Sequence, residues 1–391
     1  MLETDIVTTR IMNVFSNIVN RFGRESQDGA LTPSTIQRTV VVVTGATGYI
    51  ASHIVRVLLE NGFKVRATVR DPSNKARLKF LSDLPGASER LTFHKADLLA
   101  PGSFDEVCAG ATCVIHTASP VPLEMPDDPN AAVVVPAVEG TKNVFESILK
   151  AGSIKRVVLT SSIRAVFGFG NEKPPGYVYS EEDWNTTSRL ENNQAYSLSK
   201  TLAEKTAWEY AEKAGKDGKK PEWDLVAIQP GLVFGPSLSG REDSMSLTLF
   251  KNLVTGHQSG MVNLAWGVVD VRDVATLHVA ALTNTQASGR YIATSATLSF
   301  QEIIDTVRAK INRRLPRYAV PKAFLWIGYY SGLAGKQLSW EDIAYNVGNP
   351  VLFSNAKATK ELLPEGFIEP AKTFGDMYDN LTEVGIIPEG N

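Results

Sequence analysis

Cysteine is nearly absent from this sequence: Cys108 and Cys113 are the only two among 391 residues. Their spacing in CAGATC is neither a CxxC redox pair nor a zinc-ligand pattern, so two reduced cysteines are expected and the chain is assigned to the cytoplasm. Histidine is scarce as well, five in all, with no HExxH or paired spacing, and no metal site is expected. Neither charge sign dominates, because 40 basic against 42 acidic residues leave a net charge of -2. That balance excludes the basic footprint of a nucleic-acid binder, and no lysine patch interleaved with aromatics takes its place. The expected partner is a small molecule. Long apolar runs are missing too: AFLWIGYYSGLAG, Ala323 to Gly335, is too short to span a bilayer and is flanked by lysines. There is no internal repeat and no low-complexity tract.

What is present begins with a separate N-terminal piece, residues 1–36. Ile6, Val7, Ile11, Phe15, Ile18, Val19 and Phe22 recur at helical spacing beside Arg10, Arg21 and Arg24. A membrane-surface helix and a targeting leader are two readings of that pattern; an extra helix docked on the domain, or a loose arm, is the favoured third. Glu3 and Asp5 argue against a mitochondrial leader. Any membrane contact is expected to be peripheral and to run through this segment.

From Thr39 onward short apolar runs alternate with helical patterns. TVVVVTG, KVRATVR, LTFHKADL, ATCVIHTAS, KRVVLTSS and LVAIQPG read as strands. IASHIVRVLLENG, AVVVPAVEGTKNVFESILKAG and AYSLSKTLAEKTAWEYAEKAG read as helices between them. Such alternation predicts an α/β fold, a doubly wound parallel sheet of the Rossmann kind covered on both faces. The dinucleotide-binding domain is placed at residues 37–230. Past Pro230 the regularity fades, and residues 231–391 are expected to form mainly a smaller substrate-binding lobe, interleaved with the last Rossmann elements and closing over the C-terminal strand ends.

Gly45, Gly48 and Ala51 follow the first strand and open the first helix with the spacing GxxGxxA. Glycine permits the tight turn and a close approach by a pyrophosphate, which then meets free amides and the positive end of the helix dipole. A plain tight turn would look the same, so the second strand matters. It ends at Arg70, where a dinucleotide-binding unit places the residue that reads the adenosine ribose. An arginine there suits a 2′-phosphate and a carboxylate suits a free 2′-hydroxyl, so NADP(H) is expected, with Arg77 adding charge and Asp71 as the opposing signal.

Further on, Tyr196 and Lys200 are four residues apart within a helical pattern and share a face. An ammonium one turn from a phenol stabilises the phenolate, which makes tyrosine a usable proton donor and acceptor near neutral pH. Upstream, Ser161 and Ser162 end a strand, where a hydroxyl reaches the cleft and meets a carbonyl oxygen as charge develops on it.

At these residues the chain resembles the extended short-chain dehydrogenase/reductases, over about Thr39 to the C-terminus. Within them it is similar to the branch of dihydroflavonol 4-reductases, cinnamoyl-CoA reductases and fungal or yeast aldehyde and ketone reductases. VTGATGYIASHIV, VRATVRDPSN, KADL, GSFDEV, HTASP, TSS, YSLSKTLAEKTAW, PGLVFGP and DVRDVA carry the likeness. The resemblance implies Ser162, Tyr196 and Lys200 as the catalytic triad. It implies Gly45, Thr47, Gly48, Tyr49 and Ile50 at the pyrophosphate, and Arg70 and Arg77 at the 2′-phosphate. It also implies Asp97 and Leu98 at the adenine, Thr117, Ala118 and Ser119 beneath the cofactor, and Pro230, Leu232 and Val233 near the nicotinamide amide.

Two departures bear on the substrate. Phe167 stands where dihydroflavonol reductases tend to carry a polar residue for the substrate ring, and is expected to contact substrate here. NNQAY replaces the Asn-Trp-Tyr-Cys-Tyr signature of cinnamoyl-CoA reductases. Neither plant substrate is supported, and the segment is closer in style to fungal carbonyl reductases. The expected activity is NADPH-dependent reduction of a small apolar or aromatic ketone or aldehyde, with Tyr196 as proton donor. Alternatives within the superfamily are a hydroxysteroid dehydrogenase and a nucleotide-sugar epimerase or dehydratase; a non-catalytic NADP sensor is the third, against which the intact Tyr196 and Lys200 weigh. His116 is read as a strand-end residue rather than a base, the tryptophans as packing, and Asp270 and Asp273 as a helix cap and an internal salt-bridge site. The substrate loops are placed near 167–184, 237–262 and 321–335, and the oligomeric state is left open.

Overall fold

In a computed structural model of the chain, the described residues are 33–119, 126–212, 223–242, 244–256, 262–311, 315, 319–331 and 339–388. The N-terminal helical pattern, with its membrane and docked-arm readings, lies outside them, as do parts of the substrate loops near 237–262 and 321–335. A short helix, Pro33–Arg38, leads into the domain and buries Ile36 in its core.

The strands are β1 (Val40–Thr44), β2 (Lys64–Val69), β3 (Leu91–Lys95), β4 (Cys113–His116), β5 (Arg156–Thr160), β6 (Val178–Tyr179), β7 (Asp224–Pro230), β8 (Leu232–Phe234), β9 (Ala265–Asp270), β10 (Gly289–Ala293), β11 (Ala296–Ser299) and β12 (Leu352–Phe353). Seven of them form one sheet in the order β10-β7-β5-β4-β1-β2-β3, every neighbouring pair parallel. The central strands are continuous apolar runs because helices cover both faces, so neither side of the pleat meets water. The chain proceeds outward from β1 to β3 and then returns across β1 to β4. This reversal leaves a crevice beyond the C-terminal ends of β1 and β4, where ligands of doubly wound sheets bind.

The first crossover helix, α1 (Tyr49–Glu60), buries Ala51, Ile54, Val55, Leu58 and Leu59 on one face of the sheet. On the other face lie α2 (Val135–Ala151) and α3 (Ala195–Glu212), with Val144, Phe145 and Ile148 meeting Ala207, Tyr210 and Trp223. Gly152, at a left-handed φ of 64°, ends α2. After β7 the chain leaves these layers through β8, α4 (Met245–Val254) and β9; then α5 (Val271–Thr283) packs beside α1 and β10 completes the sheet.

The second lobe is built on a three-stranded sheet, β11-β9-β8, together with α4, α6 (Phe300–Val307) and α7 (Pro370–Glu383). Its core joins Phe234, Phe250, Ile303, Ile304, Phe374, Met377 and Leu381. Ser299 and Glu302 form a capping box that starts α6. Two bonds fix this lobe to α1: the Tyr49 hydroxyl donates to the Gly235 carbonyl at 2.7 Å, and the His53 ring lies 2.9 Å from the Pro236 carbonyl. Among the described residues no helix is long and apolar enough to cross a membrane.

Candidate active site

The turn after β1 is built around Gly45. Its φ of 64° is left-handed, and a Cβ there would lie 3.0 Å from the Cβ of Ala118. Both features require glycine. Gly48 caps α1 without any side-chain bond, so the amides of Tyr49, Ile50 and Ala51 in its first turn have no intrahelical acceptor. The Tyr49 side chain is committed to Gly235 and that of Ile50 packs on the core, so these positions offer an anion only their backbone. The Thr47 carbonyl accepts from the Arg241 guanidinium at 3.2 Å, and Arg241 also donates to the Arg77 carbonyl at 3.1 Å. A cradle that excludes a Cβ, with free amides at a helix start, fits a pyrophosphate.

At the end of β2, Arg70 is exposed and makes no hydrogen bond or ion pair with any described residue. Asp71 is occupied differently. It accepts from the Ser73 amide at 2.9 Å and from the Ser73 hydroxyl at 2.6 Å, bonds that hold its carboxyl below the usual range. The carboxylate that competed with Arg70 is therefore tied into its own turn. Arg77 stands in the first turn of helix Lys75–Ser82, where its amide donates to Asn74 at 3.0 Å. Asp97 closes a similar turn, accepting from the Leu99 amide at 2.9 Å, and Leu98 abuts Gly140, where a Cβ would lie 3.2 Å from its own.

The segment after β4 forms a shelf under the turn. Thr44 Oγ1 accepts from the amides of Thr117 and Ala118, each at 3.0 Å, and Ser119 follows in the same run. With its acceptor capacity used, the Thr44 hydroxyl directs its proton to His116 Nδ1, 2.9 Å away, which leaves the ring proton on Nε2. Burial, aided by the charge of Lys200, pushes His116 down to about 3. This histidine is neutral and structural. On the other side of the cleft Pro230 ends β7, and Leu232 and Val233 open β8, held against β9. A Cβ on Gly231 would lie 2.2 Å from the Gly267 carbonyl.

Neighbouring serines at the end of β5 have separate roles. Ser161 turns inward and donates to buried Glu204. Ser162 instead accepts from the Arg164 amide at 3.1 Å and starts the short helical turn Ile163–Ala165. That turn is pinned to the first turn of α3, because Arg164 Nε donates to the Ser197 hydroxyl at 2.8 Å. Tyr196 and Lys200 lie on α3 with the Lys200 Nζ 5.7 Å from the centre of the tyrosine ring. Lys200 is buried, yet it has no hydrogen-bond or ion-pair partner among the described residues. A buried ammonium without a partner between a phenol and the shelf after β4 is arranged for a ligand.

Phe167, expected to contact substrate, is 2% exposed in a cluster with Tyr179, Phe353 and Val351, its ring covered by the Arg164 guanidinium at 4.5 Å. In this geometry it supports Arg164 and offers no open wall. Asp270 both caps α5 and pairs with Arg272 at 2.7 Å, and Asp273 accepts from the Ile368 amide at 2.7 Å. Sequence reasoning passed over Arg164, Glu204 and Arg290. The only local signal was Glu204 standing four residues after Lys200.

A seven-stranded parallel sheet with a glycine turn at its switch point defines a dinucleotide-binding oxidoreductase fold. The NAD dependent epimerase/dehydratase family model matches residues 41–293, and the chain belongs to that family, the extended short-chain dehydrogenases. It is 42% identical to a cinnamoyl-CoA reductase of Medicago truncatula over 271 residues, 69% of this chain and 80% of that one. It is 35% identical to a dihydroflavonol 4-reductase of Zea mays, covering 90% of this chain and 91% of the other. The yeast methylglyoxal/isovaleraldehyde reductase Gre2, solved with NADPH, superposes with a TM-score of 0.70 at 28% identity over 88% of this chain and 98% of its own. The plant enzymes thus share more residues with this chain than the yeast enzyme does, although NNQAY departs from the plant signature.

Proposed function

We propose that this chain is an NADPH-dependent reductase of ketones or aldehydes in which Tyr196 donates the proton. The observation that carries the reading is the buried, unpartnered Lys200 beside the Tyr196 ring, on the rim of a cleft that also holds Ser162. The residues of the cleft fit a dinucleotide. The Gly45 turn and the α1 amides suit its pyrophosphate, the free Arg70 suits a 2′-phosphate, and Thr117 to Ser119 floor the space between them. When bound, the reduced nicotinamide supplies the hydride.

The chain's own groups do the rest. Ser162 orients the carbonyl oxygen by hydrogen bonding, Tyr196 delivers a proton to that oxygen, and Lys200 stabilises the phenolate left behind. His116, neutral and bonded to Thr44, takes no part in the proton transfer. The lobe around β8 and β9 closes the far side and is assigned to the substrate. A small carbonyl compound as that substrate is supported by the likeness to a cinnamoyl-CoA reductase, a dihydroflavonol 4-reductase and a methylglyoxal/isovaleraldehyde reductase.

The test is oxidation of NADPH and of NADH against ketones, aldehydes, dihydroflavonols and steroids. Wild-type protein should consume NADPH with at least one of them. Tyr196→Phe should lower kcat at least about a hundredfold while NADPH binding stays within about threefold, the loss expected when a general acid is removed. Retained turnover in that variant would reject Tyr196 as the donor.

A further inference from the structure

Beside the cleft lies a charge that the proposed reaction does not use. Arg164 is 9% exposed, and among the described residues no carboxylate forms an ion pair with it. Its Nε bonds Ser197, one Nη bonds Gln194, and the other, Nη1, has no hydrogen-bond partner among the described residues. The carboxylates whose charges act on it from a distance, Asp342 and Glu172, are hydrogen-bonded elsewhere: Glu172 accepts from the amides of Phe169 at 2.7 Å and Gly168 at 3.2 Å, and Asp342 from Ser339 at 2.9 Å and Asn346 at 2.8 Å. A buried guanidinium left in this state is costly unless something negative completes it.

A second donor stands next to it. The ring centre of Trp266 lies 5.5 Å from the Arg164 guanidinium carbon, and its Nε1 is also buried without a partner. Trp266 belongs to β9, whose next residue, Gly267, presses against Gly231 just past Pro230, the position assigned to the nicotinamide end of the cleft. Arg164 is two residues from Ser162, and its Ser197 partner adjoins Tyr196 on α3. The orphaned donors therefore border the place where a carbonyl would be reduced. Phe167 packs its ring 4.5 Å from the guanidinium carbon.

Resting on the reductase reading, we propose that Arg164 Nη1, assisted by Trp266 Nε1, receives a carboxylate of the substrate, and that the enzyme takes oxo acids. In the reaction the ketone carbon gains the hydride from NADPH, the ketone oxygen gains the proton from Tyr196, and the carboxylate leaves unchanged on the resulting hydroxy acid. Arg164 acts here in specificity, and the two reacting-centre bonds are made without it.

The experiment uses the full chain loaded with NADP+ and a non-reacting probe, phenylacetate, with phenylacetamide as its neutral match. Phenylacetate should bind at least about tenfold more tightly than the amide, and Arg164→Met should erase that difference while Arg164→Lys keeps part of it. In turnover, the kcat/KM ratio of benzoylformate to acetophenone should fall about 30-fold in Arg164→Met, the size of a lost charge-assisted hydrogen bond. Equal binding of acid and amide by the wild type, or equal losses on both ketones in Arg164→Met, would overturn the carboxylate subsite. If acetophenone is reduced with no preference for the acid, the reductase reading stands and the subsite falls. If neither ketone is reduced but phenylacetate binding depends on Arg164, the subsite stands and the reductase reading falls.

Discussion

Arg70 and Arg164 are both unpaired guanidinium groups, and their surroundings give that fact different meanings. In water an unpaired arginine costs little, so Arg70 at the end of β2 is informative only because Asp71 beside it is bound to Ser73. With the acid occupied, the position presents one positive charge, which in the proposed reading meets the 2′-phosphate of the cofactor. Arg70→Ala should then raise the Kd of NADPH about 30-fold, as expected for losing a charge-assisted contact, and that of NADH less than about threefold. Equal losses for the two dinucleotides, measured by nicotinamide fluorescence, would reject the phosphate clamp. Residue identity alone did not separate Arg70 from Asp71, nor Ser161 from Ser162. In each pair the chain direction is the same, and the hydrogen-bond partner decides which side chain is free.

Among the elements, α3 carries two faces with unlike duties. Tyr196 and Lys200 look to the cleft, while Glu204, one turn after Lys200, is 1% exposed and accepts from Ser161, Gln229 and Arg290. Arg290 is itself buried, stacks over Trp184 at 3.7 Å, and pairs with no other carboxylate among the described residues. Removing the acid strands this cation, and breaking a buried pair from one side is costly. Glu204→Gln should lower stability by about 3 kcal/mol, read as a fall in the urea midpoint. The same titration on Tyr196→Phe should show almost no change, since that ring faces the cleft. The helix was legible as a helix from its spacing. Its polar buried face was not, because Glu204 pairs with a residue 86 positions later in the chain.

At the scale of the whole molecule, three buried histidines among the described residues couple the layers to pH. His53 joins α1 to the second lobe, His116 fixes the shelf after β4, and His278 links α5 to Thr160 at 2.7 Å. Burial lowers them to about 3, about 3 and about 4. In the unfolded chain each binds a proton below about pH 6.5. Folded stability is therefore full above that value and falls as the pH drops toward 4, by about 1.4 kcal/mol per pH unit for each histidine. Urea stability measured from pH 7 to pH 4.5 should show this decline, and His278→Gln should flatten its slope by about one proton. An unchanged slope would mean that His278 is not held neutral in the fold.

Local spacing by itself determined the strand runs, the crossover helices, the glycine turn and the positions of Tyr196 and Lys200, because these depend on neighbours a few residues apart. The continuous apolar run of β1 signals a strand buried on both faces, and Gly45 signals a backbone angle that other residues avoid. Only the tertiary structure decided which polar groups are spent and which remain. Glu204 meets Ser161 across 43 residues, Phe167 sinks under Arg164 and between Tyr179 and Phe353, and the Arg164 charge is left incomplete. Such pairings depend on where distant segments come together, and a buried charge betrays a ligand only after every partner within reach has been placed.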